Sequence, residues 1–298
     1  MQTPPVCNYE GSDYQSSFWD EGGREYEDAA EALALKKLLP ASGRALLELG
    51  AGAGRNTLRY PGYSQITLLD YSHTQLEQAR ERLGDSIRYR FVAADIYRLP
   101  FMPQVFDGAT MIRTLHHMAD APAALGQVCR VLTPGGTFIL EFANKRNLKA
   151  MARYFFRRQK WSPYTAQPEE FAALNFDFHP RAVLGWLRDL GFSVEKMLTV
   201  SHFRMGLLKR MFSPKFLVRL ESLIQWTGRY WQFSPSVFLR ARTKLDETAE
   251  ILPGFFACPA CRTPLHDTPP QITCPTCGRV YPVANGIYDF RIEPEPES

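Results

Sequence analysis

The chain has no apolar run approaching the roughly eighteen or more residues that cross a membrane as a helix, so no transmembrane segment is expected. It has no basic region followed by an apolar core at Met1-Gln-Thr-Pro-Pro5, so no secretory leader is visible and a cytoplasmic setting is expected. It has no strong charge of either sign. Lys and Arg number 35 against 31 Asp and Glu, and a net +4 does not by itself argue for nucleic acid. It has no internal repeat. Its six cysteines are not spread as a disulfide framework: four fall in two close pairs, and Cys7 and Cys129 remain as plain thiols. What is present is 298 residues, 45% of them hydrophobic, enough for one large soluble domain and a small one.

The most informative stretch is Ala45-Leu-Leu-Glu-Leu-Gly-Ala-Gly-Ala-Gly-Arg-Asn56. Leu46 to Leu49 reads as a buried strand, Gly50, Gly52 and Gly54 as a sharp turn that brings backbone close to a ligand, and the residues beyond as a helix. A second apolar run, Gln65 to Asp70, ends in a carboxylate twenty residues after Gly50. In strand–helix–strand folds a carboxylate there holds ribose hydroxyls, which points to an adenosine-containing cofactor. The dinucleotide fingerprint is G-x-G-x-x-G with a pyrophosphate at the helix start. Here the spacing is G-x-G-x-G, preceded by Glu48. A purely structural turn is the alternative.

This loop resembles the first motif of class I S-adenosylmethionine (SAM) methyltransferases. Phe91-Val-Ala-Ala-Asp95-Ile96 resembles the third motif, Phe106 to Met118 the fourth strand and its loop, and Cys129 to Phe142 a helix end, turn and fifth strand. The register matches a methyltransferase type 11-like core over about residues 24–200, more loosely to 243. The resemblance implies an α/β, Rossmann-like fold: a mostly parallel seven-stranded sheet with helices on both faces, closed by an antiparallel pair, Ser193–Ser201 and Ser236–Thr243. It implies a cofactor set of Glu48, Gly50, Gly52, Gly54, Asp70, Tyr71, Asp95, Ile96 and Arg113, with Asp95 near the adenine amino group, the Ile96 amide near the ring, and Arg113 lending backbone to the methionine end.

Cys258-Pro-Ala-Cys261 and Cys274-Pro-Thr-Cys277 lie twelve residues apart. Two such knuckles supply four thiolates in a closed tetrahedron, which suits structural Zn²⁺. A redox dithiol and a rubredoxin-type iron site are the alternatives. A unit of this size builds little core, so metal must contribute to folding, on the order of 10–16 kcal/mol in finger peptides. Asn285-Gly286 between apolar runs signals a type I′ hairpin. Residues 255–292 resemble the small zinc-binding activator that partners eukaryotic tRNA, rRNA and release-factor methyltransferases, here fused to its methyltransferase.

The expected organisation is an arm or lid over 1–23, with Tyr14, Phe18 and Trp19; the methyltransferase domain over 24–243 with an insertion at 202–235; a linker over 244–254; the β zinc ribbon over 255–292; and an acidic, Pro-rich disordered tail over 293–298. His116 and His117 follow the fourth strand, where a histidine can act as base or simply pack. The stretch Met111-Ile-Arg-Thr-Leu115 departs from the Asn/Asp-Pro-Pro-Tyr/Phe motif of adenine-amino and glutamine methyltransferases, which argues against those acceptors. No acidic residue occurs between Phe142 and Pro168, while Lys149, Arg153 and Arg157 form an i,i+4 stripe on an expected helix. The insertion adds Lys209, Arg210, Lys215 and Arg219 among aromatic and aliphatic residues. These cations are either a solvated face or the contact for an anionic acceptor, RNA or lipid, including a membrane surface. Three functions follow: methylation of a small or lipid-like acceptor, methylation of RNA guided by the basic helix and ribbon, or a non-catalytic SAM-binding partner protein.

Overall fold

Strand–helix alternation becomes one twisted sheet. The structure, a computed structural model, describes residues 4–12, 15–244 and 254–292. The expected linker, apart from Lys244 and Gly254, the expected tail, and Tyr14 lie outside the described residues. The strands are β1 (Gly43–Leu49), β2 (Tyr63–Asp70), β3 (Tyr89–Ala93), β4 (Phe106–Met111), β5 (Leu132–Ala143), β6 (Glu169–Ala172), β7 (Asn175–Asp177), β8 (Phe192–Val200) and β9 (Ser236–Thr243). The seven core strands run in the order β3-β2-β1-β4-β5-β9-β8. β1 to β5 pair in parallel, and β9 is antiparallel to both neighbours, as the family resemblance implied. β6 and β7 form a separate hairpin.

The helices are α1 (Glu25–Leu38), α2 (His73–Leu83), α3 (Ala121–Val131), α4 (Leu148–Phe155), α5 (Pro180–Asp189), α6 (Gly206–Met211) and α7 (Pro214–Ile224). Their starts follow side-chain chemistry. Ser72 Oγ accepts the Gln75 N–H at 3.2 Å, Asp120 accepts that of Ala123 at 3.0 Å, and Asn147 accepts that of Ala150 at 2.9 Å, each relieving one orphan donor of a first turn. The insertion supplies α6 and α7. α7 is anchored on α1 by the Tyr26 hydroxyl, which donates to buried Glu221 at 2.7 Å.

Two local expectations fail. The residues after the glycine loop form a single turn, Thr57–Arg59, because Pro61-Gly62 and the start of β2 leave no room for a helix. The basic stripe also breaks. α4 ends at Phe155, and Arg157 sits in the left-handed region at φ 55°. The Arg157 N–H donates to the Tyr154 carbonyl and that of Arg158 to the Arg153 carbonyl, the paired bonds that close a helix end. Arg157 is therefore off the helical face that carries Lys149 and Arg153.

The cysteine-rich region contributes β10 (Phe256–Ala257), β11 (Pro264–Leu265), β12 (Gln271–Thr273), β13 (Val280–Ala284) and β14 (Ile287–Asp289). Asn285 and Gly286 turn between β13 and β14 at φ 51° and 75°, the positive angles a type I′ turn requires. β14 then pairs in parallel with β3, Ile287 opposite Phe91 and Asp289 opposite Ala93. The sheet thus runs to ten strands. Phe256, fully buried, stacks on Phe101 with ring centroids 6.0 Å apart and meets Phe290 at 4.9 Å, so the ribbon and the α/β domain share one hydrophobic core. Among the described residues no helix is long and apolar enough to cross a membrane.

Candidate active site and metal centre

The carboxyl ends of β1, β2, β3 and β4 open into a cleft that is partly exposed to solvent. A parallel sheet places its binding crevice there. Gly50 lies on its floor at φ 63°, and a Cβ on it would meet Thr114 Oγ1 at 2.1 Å. Gly52, at φ 52°, leaves the backbone bare, with nothing nearer to a built Cβ than Gln75 Oε1 at 3.7 Å. Asp70 lines the cleft. Its carboxylate accepts the Gly52 N–H at 2.8 Å and the Ser72 N–H at 3.0 Å. Burial pushes its pKa up, opposed by those N–H groups and that of Tyr71. A carboxylate has about four acceptor sites, so capacity remains for a ligand. Tyr71, Asp95 and Ile96 also line the cleft. Asp95 accepts the Tyr97 N–H at 2.8 Å, and burial raises its pKa.

Arg113 reaches the cleft from the end of β4 at φ 55°. Its N–H donates to Glu141 at 2.9 Å and its Nε to Glu31 of α1 at 2.6 Å. Arg55, from the glycine loop, pairs with the same Glu31 at 2.7 Å. Burial works against the Glu31 carboxylate, but the two guanidiniums overcome it and hold its pKa below the usual value. Trp19 of the N-terminal arm lies against both arginines, its ring centroid 3.5 Å from the Arg55 guanidinium carbon and 4.7 Å from that of Arg113, a favourable cation–π arrangement.

Two members of the expected cofactor set do not line the cleft. Glu48 is buried beneath the loop, where Thr57 Oγ1 donates to it at 2.6 Å and the Tyr60 hydroxyl at 3.3 Å. Gly54 faces α2, where a Cβ would crowd Ala79 and Leu83 at 3.3 and 3.2 Å. The histidines part as well. His117 lines the cleft. Its Nδ1 lies 3.0 Å from the Leu174 carbonyl, which can only accept, so Nδ1 carries the proton and Nε2 accepts the Tyr9 hydroxyl at 3.2 Å. Burial lowers its pKa. His116 packs against it, ring centroids 3.9 Å apart, and does not line the cleft. Lys149, Arg153 and Arg157 are exposed and also lie outside the lining.

Tyr9 and Gln15 line the cleft with no pattern in the sequence to mark them, and Gln75 joins them although its place three residues after Ser72 marks only a helix start. Glu31, which ties α1 to two cleft arginines, is equally unmarked. Trp19 was visible as an aromatic of the arm, but its place between Arg55 and Arg113 was not.

The four paired cysteines converge, every Sγ within 4.8 Å of the others. Cys258 and Cys277 lie 3.6 Å apart, Cys261 and Cys274 3.5 Å. Four thiolates about 2.3 Å from a zinc ion stand under 4 Å from one another, so the donor set and spacing fit Zn²⁺ with no position open for water. In each knuckle the residue after the second cysteine, Arg262 or Gly278, adopts a left-handed conformation, φ 66° and 70°.

Residues 47–140 match the model of a methyltransferase domain, and residues 254–286 that of a Trm112p-like protein. The 2-phytyl-1,4-naphtoquinone methyltransferase of Nostoc punctiforme is 30% identical over 194 residues, 59% of this chain and 84% of the relative. This chain belongs to the SAM-dependent methyltransferase family. The O-methyltransferase cnsE of Penicillium expansum is 37% identical over 109 residues, 35% of this chain. This methyltransferase-family protein spans only 40% of cnsE and 57% of the O-methyltransferase resE of Aspergillus sclerotiorum. Among solved structures, a chain of the complex between the Haloferax volcanii Trm112 methyltransferase activator and a methyltransferase aligns with a TM-score of 0.55. It is 16% identical, with 78% of this chain and 96% of that one covered. A SAM-dependent methyltransferase from Mesorhizobium loti aligns at 0.53, 21% identical, with 73% and 99% covered. These structures share the fold.

Proposed function

We propose that the cleft holds SAM and that the protein methylates a small, lipid-like acceptor at oxygen or carbon. The observation that carries the first half is convergence. Gly50, Gly52, Asp70, Asp95, Ile96 and Arg113 come from separate segments yet line one cleft. In this reading Asp70 faces the ribose hydroxyls, with Tyr71 beside it. Asp95 and the Ile96 amide face adenine, and the bare Gly50–Gly52 backbone and Arg113 face the methionine end. Bound SAM supplies a methyl group on a sulfonium centre. The protein's part is alignment and exclusion of water. His117 Nε2, held neutral near pH 7, is placed to take a proton from a hydroxyl or an acidic carbon, with the Tyr9 hydroxyl occupying that position in the resting site.

The acceptor class rests on two supports. Relatives include the demethylmenaquinone methyltransferase of Clavibacter sepedonicus and the 27-O-demethylrifamycin SV methyltransferase of Amycolatopsis mediterranei, besides the Nostoc punctiforme enzyme. The second is the exposed side chains of two segments: Leu148, Phe155 and Phe156 with Lys149, Arg153 and Arg158 on and just after α4, and Leu207 and Met211 with Arg210 on α6. The backbone of Leu148 bonds to Phe233, so α4 adjoins the stretch bearing exposed Trp226 and Trp231. Apolar and basic residues side by side suit the interface of an anionic membrane. RNA would meet the cations but has less use for exposed Leu and Met. A reducing cytoplasm, where the four thiols stay free for metal, completes the proposal.

Calorimetry with S-adenosylhomocysteine and turnover of a demethylated, prenyl-tailed naphthoquinone in vesicles test it. Wild type is expected to bind and turn over. Gly50→Val, whose side chain runs into Thr114, is expected to lose at least tenfold in affinity while staying folded. Binding of NAD without S-adenosylhomocysteine binding would sink the cofactor assignment.

A further inference from the structure

Segment 4–12 closes one side of the cleft and places Val6, Cys7 and Tyr9 in its wall. It has no regular secondary structure, so its position depends on the side chains that hold it. Glu10 is the main anchor. Its carboxylate accepts the His73 N–H at 2.9 Å and the Thr74 N–H at 3.0 Å, and Thr74 Oγ1 also donates to it. It therefore sits on the positive end of α2, where a carboxylate is favoured. The same carboxylate accepts from Arg291 Nη1 at 3.2 Å. Arg291 lies two residues beyond the end of the last ribbon strand, β14. Asp289 grips its guanidinium through Nε at 3.0 Å and Nη2 at 2.6 Å, and Nη1 also faces the Tyr71 carbonyl at 3.4 Å. Tyr71 stands beside Asp70 in the cleft wall. β14 fixes the height of Asp289 through its parallel pairing with β3, and the Phe290 N–H donates to the Ala93 carbonyl at 2.8 Å.

We infer that Arg291 is a positioning residue for the cofactor. It clasps the zinc ribbon to Glu10 and through Glu10 holds segment 4–12 against the bound ligand, and it holds the Tyr71 backbone directly. The inference rests on the reading of the cleft as a SAM site. Its physical content is that an arginine aimed by Asp289, the last residue of a strand of the sheet, gives an irregular segment a rigid support. The ribbon then contributes to cofactor retention through one side chain, besides its share of the common core. Arg291 and Glu10 keep about a quarter and two fifths of their side-chain surface in contact with solvent, so the ion pair is of moderate strength.

The test is a double-mutant cycle on the full-length zinc-loaded protein with Arg291→Gln, Glu10→Gln and the pair, with S-adenosylhomocysteine as probe. Gln at position 10 keeps one acceptor for an α2 amide and removes the charge together with the second acceptor. Each single variant is expected to raise Kd up to about fivefold, and the double variant no further than either single one. Hydrogen exchange, read in parallel without ligand, is expected to quicken in segment 4–12 while the ribbon strands and zinc content stay as in wild type. Arg291→Lys, which keeps the charge but not the fork to Asp289, is expected to recover part of the loss. Unchanged exchange in segment 4–12, or penalties that simply add, would overturn the clasp. So would faster exchange throughout the ribbon, which would make Arg291 a structural residue of the ribbon alone. If wild type binds no S-adenosylhomocysteine, the cofactor reading fails, and the exchange measurement still decides whether the clasp exists.

Discussion

Buried at the end of β1, Glu48 has two hydroxyl partners, Thr57 and Tyr60, and burial pushes its carboxyl up to about 7 from 4.5. Between those pH values the folded protein keeps a proton that the unfolded chain has released. Stability therefore falls as pH rises from about 4.5 to 7, by on the order of 3 kcal/mol from this group. Glu48→Gln keeps an acceptor for Thr57 and removes the ionisation. Its gain over wild type in urea unfolding is expected to be near zero at pH 4.5 and to grow to a few kcal/mol at pH 8. An equal difference at both pH values would place the burden elsewhere. Residues differ in how far the sequence exposes them. Cys258, Cys261, Cys274 and Cys277 are legible because each pair makes its own knuckle from local spacing. Gly50, Gly52 and Asp70 are legible because strand–turn–strand geometry fixes them. Glu31 meets Arg113 from 82 positions away, and Tyr9 meets His117 from 108. No local pattern records such meetings.

Helix α4 shows the same division among elements. Asn147 marks its start, as Ser72 and Asp120 mark α2 and α3. Its end carries no mark, because the left-handed position is filled by Arg157 rather than by glycine or asparagine. Spacing alone then carries the i,i+4 count past Phe155. The loop after Gly54 errs in the same way: its residues tolerate a helix, and Pro61-Gly62 cuts it short. The exposed cations of α4 and its cap nonetheless point outward with Leu148 and Phe155. Lys149, Arg153 and Arg157 changed together to Gln are expected to weaken sedimentation with phosphatidylserine-containing vesicles by about a hundredfold, at about 1 kcal/mol per cation near the surface. S-adenosylhomocysteine affinity should be unaffected, and the vesicle effect should shrink with added salt. Vesicle binding equal to wild type would return this helix to a solvated face, and salt-dependent retention of single-stranded RNA in its place would favour the RNA acceptor.

Across the whole molecule, the α/β order was legible because strand and helix alternate along the chain and family motifs fall in register. The docking of the ribbon was not, because β14 and β3 are distant in sequence and a parallel pair leaves no hairpin to announce it. Excision of residues 255–298 is expected to lower the melting temperature of the remaining protein by several degrees and to cause aggregation. It unpairs the edge of β3 and uncovers Phe101 and Phe106, which rest on Phe255 and Phe256. A truncated protein that melts as a monomer at the wild-type temperature would show the ribbon to be dispensable for the core. The covalent join between β9 and β10 has a further consequence for how this assembly behaves on dilution. Two separate chains meeting along β3 and β14 would come apart at low concentration. Here the second partner is joined to the first by about a dozen residues of the same chain, which makes the second binding event intramolecular. Docking becomes a first-order event within one molecule, and the occupancy of the β3 edge no longer depends on how much protein a cell makes.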